Sequence, residues 1–79
     1  MITEKEKKKI VKVLGHRYVA PVKRALRELN MFNAKGEEHS NSMVTNVMNG
    51  VAHEDIETAI YEAVKKKKEE LKARRALLR

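Results

Sequence analysis

A chain of 79 residues carrying 18 Lys and Arg against 11 Asp and Glu, with a formal charge of +7 and a pI near 9.9, is sized for one small domain. A domain of this length buries only about 60% of its unfolded surface, which leaves no room for an elaborate catalytic centre. The absence of cysteine excludes disulfide staples, thiolate metal ligands and thiol nucleophiles.

Phe32, Tyr18 and Tyr61 are the only aromatics, and the other apolar residues are Ala, Val, Leu, Ile and Met, a set that favours packed helices over strands. Residues 1–9 carry charge where a signal peptide needs an apolar run, and no apolar stretch reaches the roughly 20 residues of a membrane span. A cytoplasmic protein with no membrane partner is expected, and its basic surface should seek polyanions.

Thr3 and Glu6 have capping-box spacing, so a first helix is expected over 4–14. Ile10, Val13 and Leu14 form its apolar face, Lys7, Lys8, Lys9 and Lys12 cover much of the rest, and Gly15 supplies a left-handed stop. After a connector over 16–20, Pro21 belongs in the first turn of a second helix running to about Leu29. Its stripe is Val22, Ala25, Leu26 and Leu29; Lys23, Arg24 and Arg27 form a basic arc opposite, and Asn30 caps the end.

Periodicity is lost from Met31 to His39, where Asn33 to Gly36 reads as a turn inside either an irregular loop or a miniature hairpin. Ser40 is a good N-cap for a third helix over 41–48, which Asn49-Gly50 ends. Val44, Val47, Met48 and Val51 point one way, whereas Ser42, Thr45, Asn46 and Asn49 occupy the opposite arc without a formal charge. A fourth helix, capped by His53 or Ala52, opens on Glu54, Asp55 and Glu57, acids that suit the positive end of a helix dipole. Its stripe is Ile56, Ala59, Ile60, Ala63 and Val64, and packing should weaken beyond Lys66. Beyond that point the chain either extends as exposed helix, frays, or orders against a partner. The expected fold is therefore all-α: a four-helix helix-turn-helix domain over 1–66 with a basic helical extension over 67–79.

In a helix-turn-helix the first helix of the pair crosses the phosphate backbone and the second reads base edges in the major groove. The charge layout suits that division. Arg17, Lys23, Arg24, Arg27, Lys35 and Ser40 are the candidate phosphate contacts, and Ser42, Thr45, Asn46 and Asn49 the candidate base readers. An Asn amide pairs bidentately with adenine, while Ser and Thr suit phosphates or any base.

Residues 26–49 resemble the DNA-binding segment of large serine recombinases. There a helix ending in Leu-Asn, here Leu29-Asn30, leads through a Gly-containing loop to an aromatic or His, a Ser cap and a Val-led recognition helix, here Gly36, His39, Ser40 and Val44. More broadly, the chain is similar to small Cro-like phage and mobile-element repressors. The resemblance covers about a third of the chain. It implies a transcriptional regulator in a bacterial nucleoid or phage-infected cell, with Ser40 as the cap and Ser42, Thr45, Asn46 and Asn49 facing DNA. Nothing here matches a recombinase catalytic domain, so strand exchange is not expected, and the connector between the helices is longer than the three or four residues of the compact motif.

Other chemistry finds little support. His16, His39 and His53 lack the spacing of a metal site, no nucleophile-base pair or phosphate loop is visible, and no cofactor or enzyme activity is expected. Leu71, Leu77 and Leu78 make the fourth helix the expected contact of a homodimer. The rival reading is a helical interaction module or inhibitor for an acidic protein partner; RNA binding ranks last, because stacking aromatics are scarce.

Overall fold

The computed structural model describes residues 1–78 and contains α1 (Glu4–Leu14), α2 (Val19–Glu28), α3 (Asn41–Met48) and α4 (Glu54–Leu77), with no strand among the described residues. The all-α, four-helix architecture is the one read from the sequence. The segment over 31–39 takes the loop alternative, not the hairpin. Asn33 organises it: its backbone N–H donates to the Glu37 carbonyl at 2.8 Å, and its Oδ1 accepts from the N–H groups of Lys35 and Glu37 at 2.9 and 3.0 Å.

The helix boundaries follow local chemistry. Thr3 Oγ1 accepts from the Glu6 N–H at 3.2 Å while Glu6 Oε1 accepts from the Thr3 N–H at 3.3 Å, the reciprocal pair of a capping box. α2 begins at Val19, inside the segment read as a connector. The reason lies in Pro21: any of the first turn's donors lacks an intrahelical partner, so proline fits as the third residue as well as the first.

α2 and α3 end in the same way. Asn30 lies at φ 55°, and the Met31 N–H reaches the Leu26 carbonyl at 2.9 Å while the Asn30 N–H reaches Arg27. Gly50 lies at φ 108°, with Val51 bonded to Asn46 and Gly50 to Val47. Both are Schellman closures, whose left-handed residue costs least as glycine and next least as asparagine. The closures revise two expectations. Leu29 is left exposed, because the turn delivers Met31 to the core instead, and Val51 is exposed beyond Gly50 instead of continuing the apolar side of α3.

One aliphatic core joins the helices. It comprises Ile10 of α1, Val22, Ala25 and Leu26 of α2, Val44, Val47 and Met48 of α3, and Ile56, Ala59, Ile60 and Ala63 of α4. Ile2, just ahead of the Thr3 cap, is also buried there. α4 is the common support, packed against each of the other three helices. Among the described residues no fully buried core residue lies beyond Ala63, Val64 packs partly buried against the core, and every residue from Lys68 to Leu78 is exposed, in keeping with the expected weakening past Lys66. No helix of the described residues is long and apolar enough to cross a membrane. Residue 79, the last of the basic extension, lies outside the described residues.

Candidate nucleic-acid interface

The core fixes which side of α3 is free. With Val44, Val47 and Met48 at 0–1% exposure, the opposite arc must face outward, and Ser42, Asn46 and Asn49 are exposed with Thr45 half-buried at the edge. Ser40 caps the helix as expected, its Oγ accepting from the Met43 N–H at 3.1 Å. That bond occupies one of the free donors of the first turn and leaves the N–H groups of Asn41 and Ser42 at the positive end of the helix.

Asn41 is where the two halves of the site meet. Together with Arg17, Ala20, Lys23, Arg24 and Arg27 it lines one open depression, so the basic arc of α2 lies beside the N-terminus of α3. Four of the six candidate phosphate contacts thus converge, and they converge at a helix end whose backbone itself attracts anions. Lys35 does not line this depression; it stands on the loop beyond Asn33.

Partners separate the candidate side chains further. Arg27 Nε is ion-paired with Glu38 of the loop, so it is not the free cation expected of it. Thr45 Oγ1 donates to the Asn41 carbonyl at 3.1 Å, the back-bond that a hydroxyl commonly makes inside a helix, and is thereby a poorer base reader than its position suggests. Asn49 Oδ1 accepts from Lys7 Nζ of α1 at 2.5 Å. A bidentate pair with adenine needs both ends of the amide, so Asn49 would have to give up Lys7 to make one. The Asn46 and Ser42 side chains make no hydrogen bond to other described residues and remain exposed. The uncharged strip therefore has the α2 cations at its N-terminal end and Lys7 at its C-terminal end. Sequence reasoning missed Lys7, whose contact spans 42 positions and has no local signature.

A second feature lies where the loop meets α4. His53 caps α4, its Nδ1 accepting from the Ile56 N–H at 3.3 Å, and its ring stands edge-on to His39 at a centroid distance of 5.0 Å. His39 is buried, and its Nε2 has no hydrogen-bond partner among the described residues. Burial, then the neighbouring His53, pushes its pKa below the usual histidine value, against an opposing pull from Asp55. The two histidines secure the junction of the loop and α4. No group of three or more His, Cys, Asp or Glu among the described residues is arranged to hold a metal ion.

Across family models, curated proteins and solved structures, none matches this chain.

Proposed function

We propose that this chain is a sequence-specific double-stranded DNA-binding protein, a transcriptional regulator of the phage or mobile-element kind, with α3 in the major groove. One observation carries the reading: the exposed, uncharged strip of α3 adjoins the depression formed by Arg17, Lys23, Arg24 and Arg27. Cations there can hold phosphates on the groove edge while Asn46 and Ser42 meet base edges, the separation of positioning from reading that sequence-specific proteins use. Arg24, exposed and outside any ion pair among the described residues, is the principal phosphate contact, ahead of Arg27.

The decisive experiment is in vitro selection from a randomised duplex pool. Enrichment of a defined motif supports base reading and gives its length and any two-fold symmetry. A pool that stays random after repeated rounds, at a salt concentration where the protein binds, refutes it.

The rival interaction module draws on a different observation. Ile10, Val13, Tyr61 and Val64 line a groove between α1 and α4, flanked by Lys9, Lys12 and Lys68 and, on one edge, by Glu6, whose carboxylate accepts from the Tyr61 hydroxyl. Its chemistry suits an acidic amphipathic segment of a partner protein. Weak, salt-insensitive retention on DNA resin together with capture of one acidic protein would favour this reading over the first.

A further inference from the structure

The cations of this molecule are unevenly placed. Residues 1–64 hold ten Lys and Arg against nine Asp and Glu, whereas residues 65–78 hold seven against two. Nearly all of the net charge therefore belongs to the outer half of α4, a helix that projects past the core with every residue from Lys68 to Leu78 exposed. The compact part, including the α3 surface, is close to neutral overall.

The arrangement of those charges narrows the partner. At 100° per residue, Lys65, Lys68, Lys72 and Arg75 form one set within an arc of about 80°, Lys67 and Arg74 form a second about 80–100° beyond Arg75, and Lys66 occupies a third direction. Lys66 is paired with Glu28 and Lys67 with Glu70, whereas the first set is in no ion pair among the described residues. Leu71 and Leu78 leave only a narrow apolar strip between the first two sets. A helix lying on a membrane surface needs a broad apolar face, and one docking in a protein groove needs apolar anchors at i, i+3, i+4 and i+7. Neither pattern is present. A row of four unpaired cations recurring along one side of the helix suits a ligand whose own charges are spaced along a line, as the phosphates of a duplex backbone are.

We propose that α4 from Lys65 to Arg75 is a second, sequence-independent site that binds the phosphate backbone of duplex DNA. The inference deepens the DNA-binding reading and rests on it for the class of polyanion. Like charges at Lys68 and Lys72 in i,i+4 relation, and at Lys72 and Arg75 in i,i+3, oppose helix formation in an element without tertiary support. Phosphates neutralise those repulsions, so binding also increases the helicity of this segment.

The test uses the full chain and a quadruple variant, Lys65→Gln, Lys68→Gln, Lys72→Gln and Arg75→Gln, which keeps good helix formers and leaves the Lys66–Glu28 pair intact. Affinity for a random-sequence duplex is measured over a range of salt concentrations. Each phosphate neutralised contributes about 0.9 to the log–log slope, so the variant should lose about 3 to 4 from it. A control, Lys5→Gln, Lys8→Gln, Lys9→Gln and Lys12→Gln, removes the same charge from α1 and should change the slope by less than about 1.

Equal losses in the two variants, or none in the first, overturn the proposal, as does binding of the parent to phosphatidylserine vesicles in preference to duplex. The α3 reading fails separately. A selected motif bound with the slope unchanged in the α4 variant sinks this site alone, whereas a reduced slope in that variant, with a parent that shows no sequence preference, sinks base reading alone. Absence of duplex binding by the parent at low salt refutes both.

Discussion

α3 and the outer stretch of α4 are similar in length, eight residues against the ten from Lys68 to Leu77, yet they are helical for opposite reasons. α3 is built from Asn, Ser, Thr, Val and Met, mostly indifferent helix formers, and at two turns it would not persist alone. Its cap, its Schellman closure and three side chains sunk in the core hold it. Outer α4 consists of Lys, Glu, Leu, Ala and Arg, which favour helix, and contributes no residue to the core. A reading surface must be held in one place, and tertiary packing provides that. A surface that follows a polyanion needs only charge and the capacity to remain helical.

The largest effect that can break this comparison is on stability. Met48→Ala should cost about 2–5 kcal/mol, the range for emptying a buried long side chain, and Leu71→Ala less than about 0.5 kcal/mol. Equilibrium urea unfolding measures both. A Leu71→Ala cost as large as that of Met48→Ala would mean that outer α4 is packed in solution, as the expected homodimer would require.

Within the reading face, Asn46 and Asn49 should separate. Asn46→Ala should reduce discrimination at one base position by about 1–3 kcal/mol, because its amide is free at both ends. Asn49→Ala should have a smaller effect on base choice, since Lys7 already occupies its oxygen. Titration of single-base variants of a selected site measures the two side by side; a larger loss at Asn49 would show that Lys7 releases it on binding. Next in size, Ser40→Ala should cost about 1 kcal/mol in unfolding free energy through loss of the α3 cap. An equivalent hydroxyl has no such role in outer α4, which contains none.

Much of this was legible in the sequence because the signals are local. The Thr3–Glu6 box, the Ser40 cap, the turn at Asn33 to Gly36 and the apolar stripe of α4 all lie within a few residues, where backbone chemistry acts alone. So does the α3 interior face, up to Met48. Leu29 and Val51 were misplaced because each lies at or beyond a left-handed turn, where helical periodicity stops describing direction. Arg27 with Glu38, Asn49 with Lys7 and His39 with His53 are products of chain packing, and no spacing rule encodes them. The convergence of Arg17, Lys23, Arg24 and Arg27 lies between these cases: the α2 arc is periodic, but its placement beside Asn41 required the fold.

The smallest expected effect is a pH dependence that belongs to the α3 side of the molecule alone. His39 precedes the Ser40 cap and touches His53 at the start of α4; Asp55, Glu37 and Glu38 line the same cleft. Its pKa is depressed in the folded state, chiefly by burial, so the unfolded chain binds the proton more readily. Stability is then complete above the unfolded histidine value of about 6.5 and declines as pH falls through that value toward the folded one. Unfolding free energies measured between about pH 7.5 and 5.5 should therefore fall on acidification, and His39→Phe, which fills the site without a titrating nitrogen, should flatten the decline. The same variant removes a buried Nε2 that lacks a partner, so it should cost little at neutral pH. Identical pH slopes for parent and variant would remove His39 as the acid-sensitive element, and would leave the hold on α3 to its cap and its aliphatic contacts.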